Sequence, residues 1–258
     1  MPVDIRLKAA KYYDLNPGFL DDIQFYMEKV PSPESRVLEL GCGTGRVLIP
    51  LIEKCGYIRG VDSSEAMLSL CQAKLEAKEI PVSKAAVEMG DITRLVLCMK
   101  FDLIIAPFRV FQNLETDEEV NGFFQTVHTH LAYGGSCILN VFNPSKDPEK
   151  LRREWCTEEE QLSWEVPIKG GRVTCHDRRP SMDPEKIVLY PELLYRRYKG
   201  ETMVDKVVLP IAMRCYYSNE LQRLIEGQGF KIIEKFGGYK GETYSEGPEL
   251  VIQFSLDT

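Results

Sequence analysis

No stretch of the 258-residue sequence approaches the roughly 20 apolar residues that cross a bilayer. The N-terminus, MPVDIRLKAAKYY, has no apolar signal core either, so the chain reads as soluble and cytoplasmic, with no membrane partner. Paired cysteines are missing: the eight, at positions 42, 55, 71, 98, 137, 156, 175 and 215, are scattered without a C-x-x-C, which points to reduced and mostly buried thiols. Histidine is scarce at three; His128 and His130 have no third ligand near them and read as surface or capping residues, so no metal is expected. An excess of positive charge is lacking too, with 32 basic against 39 acidic residues, which argues against nucleic acid as partner. What remains is 44% hydrophobic content, enough to bury a large core as one α/β unit with an insertion.

The central feature is RVLELGCGTGRVLIPL, residues 36 to 51. Val37, Leu38 and Leu40 form a short apolar stretch bounded by charge, as a buried parallel strand does. Gly41, Gly43 and Gly45 then permit backbone angles and a close ligand approach that a Cβ blocks, and Thr44 is placed to cap a helix carrying Val47, Leu48 and Leu51. The glycine spacing is G-x-G-x-G, with Arg46 where a dinucleotide fingerprint needs its third glycine, which counts against NAD.

Strand and helix patterns alternate from there. Tyr57 to Asp62 reads as a second strand ending in a carboxylate; Ser63 or Ser64 can cap the following helix, 64 to 78, which leaves Asp62 to accept ribose hydroxyls. Lys84 to Met89 reads as a third strand, followed by Gly90-Asp91-Ile92. There Asp91 offers an acceptor for an exocyclic amine, with Ile92 and Met67 as walls. Strand four is Phe101 to Ala106, followed by PFRVFQNL. This segment lacks the Asn/Asp-Pro-Pro-aromatic run usual in enzymes that methylate exocyclic base amines or glutamine side-chain amides, and no Pro-Cys pair occurs in the chain. A helix from 117 to 132 and a strand from Ser136 to Phe142 complete this part.

Before it, residues 4 to 30 read as one or two helices broken at Asn16-Pro17-Gly18; Tyr12 there serves either packing or closure over a ligand. From about 144 to 215 the pattern becomes period-two runs between turns, an inserted antiparallel sheet. Residues 150 to 215 hold 13 basic and 11 acidic residues against 19 and 28 elsewhere, a hint of an anionic substrate. A helix near 218 to 228 and two strands, 230 to 236 and 249 to 256, close the chain as an antiparallel hairpin.

The run E-x-G-C-G-T-G, followed in order by Asp62 and then Gly90-Asp91-Ile92, resembles motif I and its successors in the class I S-adenosylmethionine (SAM)-dependent methyltransferases. The resemblance covers roughly residues 36 to 142 and 216 to 256. It implies a doubly wound, seven-stranded, mostly parallel Rossmann-like sheet: a core of residues 1–143 and 216–258 with an N-terminal helical cap, and an inserted antiparallel lid at 144–215. It implies SAM as cofactor and S-adenosylhomocysteine (SAH) as product. Tyr12, Glu39, Gly41, Cys42, Gly43, Gly45, Asp62, Ser63, Met67, Asp91, Ile92 and Ala106 are the implied cofactor contacts. The acceptor is expected to be a small molecule methylated on nitrogen or oxygen, with Arg109, Phe111, Gln112 and Tyr239 on the substrate side and Arg109 and His176 as the groups nearest to catalysis. Two other readings stay open, a non-catalytic SAM-binding partner or sensor and an NAD-dependent oxidoreductase. The protein is a monomer or a homodimer on this reading.

Overall fold

A computed structural model describes residues 4–257. In chain order the elements are α1 (Ala10–Tyr13), α2 (Ile23–Lys29), β1 (Arg36–Leu40), α3 (Leu48–Leu51), β2 (Tyr57–Asp62), α4 (Glu65–Ala77), β3 (Ala85–Met89), β4 (Phe101–Ala106), α5 (Asp117–His130), β5 (Leu131–Phe142), α6 (Pro148–Glu154), β6 (Thr157–Ile168), β7 (Gly171–Asp183), β8 (Val188–Lys199), β9 (Thr202–Pro210), β10 (Met213–Arg214), α7 (Ser218–Gly227), β11 (Phe230–Phe236) and β12 (Glu249–Leu256). They form two compact units.

The larger unit, Asp21–Ser145 with Tyr216–Thr258, holds a seven-stranded sheet in the order β11-β12-β5-β4-β1-β2-β3. Strands β1 to β5 pair in parallel, and β12 runs antiparallel between β5 and β11. The order reverses at the β1/β4 junction, where an open α/β sheet leaves a crevice at the strands' C-terminal ends.

Strand alternation sorts the core onto two faces. Leu38, Leu40, Ile104 and Ala106 face one side with Phe123, Phe124 and Val127 of α5 and Leu221 and Ile225 of α7. Val37, Leu103 and Ile105 face the other with Tyr26, Leu48, Leu51, Leu68 and Cys71 from α2, α3 and α4. By parity Glu39 shares the face of Val37, so its carboxylate is carried into an apolar layer and ends 2% exposed.

The smaller unit pairs Lys146–Cys215 with the segment up to Leu20. Its sheet runs β10-β8-β7-β6, with β9 also on β8, and every pairing is antiparallel. Ala9 and Tyr12 pack with Val173, Cys175, Tyr195, Val207 and Leu209. The N-terminal cap expected on the core therefore divides, α1 going with the insert and α2 with the larger unit.

Two local expectations are corrected. Helix α3 spans only Leu48–Leu51, with Val47 and not Thr44 at its N-cap and no side-chain cap. Pro50 has no N–H to give Arg46, and the bonds after it, from Ile52, Glu53 and Lys54, reach back three residues instead of four. His130 is fully buried: Leu97 N–H donates to its Nε2 at 2.8 Å, so its Nδ1–H donates to the Thr126 carbonyl at 2.7 Å, and the ring staples α5 to the approach to β4. Four of the insert's arginines pair with its own acids. Arg172 pairs with Glu165 and Glu201, Arg178 with Glu158 and Glu192, Arg179 with Asp177, and Arg196 with Glu160.

Candidate functional site

The C-terminal ends of β1, β2 and β4 and the start of the antiparallel β12 gather polar groups of the larger unit. After β1 the chain turns through Gly41, Gly43 and Gly45, all at positive φ (+75°, +54° and +81°), where a side chain is strained. A Cβ on Gly41 falls 2.5 Å from the Val110 side chain and one on Gly45 falls 2.6 Å from Cys71 Sγ, so these two positions are closed by packing. A Cβ on Gly43 meets only the Met67 methyl, at 3.4 Å, so the space above it is open.

Asp62, at the end of β2, holds this loop. Its Oδ2 accepts from Gly43 N–H at 2.8 Å and its Oδ1 from Ser64 N–H at 2.9 Å. Ser64, not Ser63, caps α4 through Met67 N–H at 3.2 Å, and Ser63 is exposed. A carboxylate has about four acceptor sites, so Asp62 retains capacity for hydroxyl donors after both backbone bonds.

Glu39 has an oxygen, Oε2, that is shielded from solvent and makes no hydrogen bond. Burial pushes its carboxyl well above the usual glutamate range, with Arg46 acting in the opposite sense and Asp22 and Asp62 adding to the rise. An unsatisfied charge-bearing oxygen in such a place calls for a donor from a ligand. Cys42 beside it is buried, and its thiol is likewise pushed well up by desolvation.

Arg46 leaves the loop toward α2, where its guanidinium makes a two-pronged pair with the fully buried Asp22, Nη2 to Oδ2 at 2.8 Å, and lies 5.1 Å from the Phe108 ring centroid. Phe108 and Arg109, just beyond β4, are successive non-glycine residues in the left-handed region, at φ +54° and +65°. Backbone of this kind costs of order 1 kcal/mol per residue or more and persists where surroundings over-determine it. Here they do. Arg109 N–H donates to Asn140 Oδ1 at 3.1 Å, the Arg109 guanidinium pairs with Glu249 at the start of β12, and Asn140 Nδ2 donates to the same carboxylate at 2.8 Å.

Among the other expected residues, Asp91 accepts from Thr93 N–H at 2.9 Å and Thr93 Oγ1 at 2.7 Å and pairs with Arg94 at 2.8 Å, with Ile92 half-buried beside it. Ala106 and Phe111 are fully buried; Phe111 packs on Phe123, Phe124 and Tyr216 within the core, not on an open wall. Gln112 is fully buried as well, its Oε1 accepting from Phe142 N–H at 2.8 Å, so it ties the post-β4 segment to β5. Tyr239 stands in the connection between β11 and β12, its ring against Phe25 and Tyr26.

Tyr12 and His176 fall in the smaller unit. Tyr12 is 4% exposed, stacks on Tyr195 at 5.5 Å and gives its hydroxyl to Asp205. Arg196 Nη1 donates to His176 Nδ1 at 3.1 Å; a guanidinium only donates, so the ring is the neutral Nε2–H tautomer. Desolvation and then Arg196 lower its pKa.

Sequence reasoning passed over Asp22, Arg46, Asn140 and Glu249. A signal existed for two of them: Asn140 interrupts the apolar run CILNVF, and Glu249 opens the apolar LVI of the last strand.

The glycine loop with its unsatisfied acid, held by a carboxylate at the end of the next strand, lies beside the β1/β4 reversal, the place where open α/β sheets take ligands. The model of a family described as a methyltransferase domain matches residues 37–135. Over that segment the chain is similar to methyltransferase domains. In sequence the chain is 31% identical over 116 residues to the putative methyltransferase YqeM of Bacillus subtilis strain 168, covering 45% of this chain and 46% of that one. It is 31% identical over 142 residues to the cypemycin N-terminal methyltransferase of a Streptomyces species, covering 54% and 56%. The chain thus spans about half the length of the curated relatives it matches. In structure it is similar to an S-adenosylmethionine-dependent methyltransferase from Clostridium acetobutylicum ATCC 824, with a TM-score of 0.76, 18% identity, and 97% and 98% of the two chains covered. The fold is therefore the class I SAM-dependent methyltransferase fold.

Proposed function

We propose that this protein is an SAM-dependent methyltransferase that transfers a methyl group to a nitrogen or oxygen of a small-molecule acceptor. The observation that carries the reading is the unsatisfied Glu39 Oε2 beside a glycine loop held by Asp62. The residues present fit the cofactor: Glu39 offers an acceptor for its amino group, the open face of Gly43 admits its methionyl part, Asp62 retains acceptor sites for its ribose, and Asp91 with Ile92 and Met67 offers an edge and walls for its adenine. Bound SAM supplies a methyl already activated as a sulfonium, so transfer is an in-line displacement that asks mainly for alignment and exclusion of water.

The chain's own part is therefore positional. Asp62 fixes the loop, the Asp22–Arg46 pair fixes the loop's exit, and the Arg109–Glu249–Asn140 network fixes the strained segment after β4 where an acceptor group is to be aligned. The cypemycin relative is an N-terminal methyltransferase by name, which favours nitrogen as acceptor atom. Calorimetric titration with SAH, with NAD as control, tests the reading: saturable binding of SAH alone is expected, followed by methyl transfer in a screen of small amines, phenols and acids. Binding of NAD and not SAH by the folded protein overturns it.

A further inference from the structure

The segment after β4 carries a guanidinium that the protein engages on one side alone. Arg109 Nε donates to both oxygens of Glu249, at 3.2 and 3.3 Å, and its Nη2 donates to Glu249 Oε1. This is a side-on pair made with the Nε/Nη2 edge. A guanidinium holds its five N–H donors in a rigid plane, so Nη1 and the second hydrogen of Nη2 present a further edge. Among the described residues no hydrogen bond or ion pair engages Nη1, and that atom is not sealed from solvent. The Arg109 side chain is 33% exposed and that of Glu249 1%, so the acid lies on the inner side and the unused edge on the outer.

That edge is fixed in place beside the cofactor loop. Asn140, fully buried, accepts from Arg109 N–H at 3.1 Å and donates to Glu249 at 2.8 Å, and the guanidinium carbon lies 5.7 Å from the Phe142 ring centroid. The next residue, Val110, packs against Gly41 of the glycine loop. Little side-chain freedom is left for a ligand to remove. Two parallel N–H groups on a cation match a carboxylate, which accepts both; an amide oxygen brings no charge, and an amine brings donors to donors. A phosphate monoester brings close to two negative charges to a cation that already faces one acid, so the single charge of a carboxylate is the better fit.

We propose that the outer edge of Arg109 binds a carboxylate carried by the methyl acceptor, so that the acceptor is a small amino acid and not a simple amine. The inference rests on the methyltransferase reading and deepens it. Arg109 is then a binding residue, and Glu249 and Asn140 are the positioning residues that aim it.

Calorimetry first establishes SAH binding; the SAH-saturated protein is then titrated with glycine, β-alanine and γ-aminobutyrate and with the amide of each, a series that varies the reach between amine and carboxylate. At one length or more the acid is expected to bind about tenfold more tightly than its amide, the worth of a charge-assisted hydrogen bond. Arg109→Lys keeps a cation against Glu249 and loses the planar edge; it is expected to lower the acid-to-amide ratio about tenfold while SAH affinity stays within about twofold. Glu249→Gln keeps an acceptor for Nε and removes the competing charge, so it is expected to tighten the acid several-fold and leave the amide unchanged. A purely structural role for the pair moves acid and amide together. Equal binding of acid and amide at every length, no saturable binding of any acid, or a ratio unchanged in Arg109→Lys overturns the site. Failure of SAH itself to bind overturns the methyltransferase reading instead, so the two failures are distinct.

Discussion

At the scale of single residues, Glu39 sets function against stability. Its carboxyl is buried with one oxygen unsatisfied, and burial raises its folded-state pKa above the unfolded value. For an acid shifted in this sense the native state binds the proton more tightly, so its contribution to stability is greatest at low pH and falls as pH rises from the ordinary glutamate range toward the raised value. Glu39→Gln removes the titration. Its unfolding free energy, followed by urea titration, is expected to gain on the wild type between pH 5 and pH 8, while its SAH affinity falls; an equal pH slope in both proteins sinks the assignment. Asp62→Ala is expected to abolish measurable SAH binding while the chain stays folded, at a stability cost of about 1–3 kcal/mol for the two orphaned amides of Gly43 and Ser64. Retained binding at wild-type strength removes Asp62 from the ribose role. Arg109→Ala leaves Glu249, 1% exposed, without its cation. Because Arg109 is itself a third exposed, about 3 kcal/mol, the lower end for a broken buried pair, is the expected loss, read from the denaturation midpoint.

At the scale of elements, the glycine loop and the segment after β4 are in contact through Gly41 and Val110. Gly41→Ala brings a Cβ to 2.5 Å from Val110 and places alanine at φ +75°, so a destabilisation of about 2–3 kcal/mol is expected. Adding Val110→Ala removes the clash but not the backbone strain, so the double variant is expected to recover part of the loss relative to the sum of the singles. Additive effects refute the contact. The same elements show what a sequence conveys. β1, β2, β4 and α4 are legible because apolar period and bounding polar residues agree, and Asp62 is legible because it ends a strand. The Thr44 cap was not, since Pro50 alters the bonding pattern of α3 from within. Nor were Asp22 and Arg46, 24 positions apart in sequence, because nothing local states that they meet. Phe111 and Gln112 look like site residues from their place after β4, yet the left-handed turn at Phe108 and Arg109 directs them into the core.

At the scale of the whole molecule, the chain crosses between its two units near residues 20, 145 and 215, so the smaller one is assembled from segments distant in sequence. The period-two pattern revealed its sheet, but not its claim on the N-terminal segment, which depends on Tyr12 meeting Tyr195 and Asp205. Among the described residues no helix is long and apolar enough to cross a membrane. SAH at a hundredfold over its dissociation constant is expected to stabilise the folded protein by about 2.7 kcal/mol, seen as a rise in Tm of several degrees. The absence of any shift at saturation speaks against a site built into the native fold.

One consequence follows from the two backbone amides that Asp62 already holds. The loop over β1 is fixed before any ligand arrives, so the cofactor meets a finished socket and little chain entropy is lost on binding. Exchange of one cofactor molecule for the next then requires no folding and unfolding of the loop. On the proposed reading, the aspartate that holds the loop thus removes an ordering step from each exchange of cofactor.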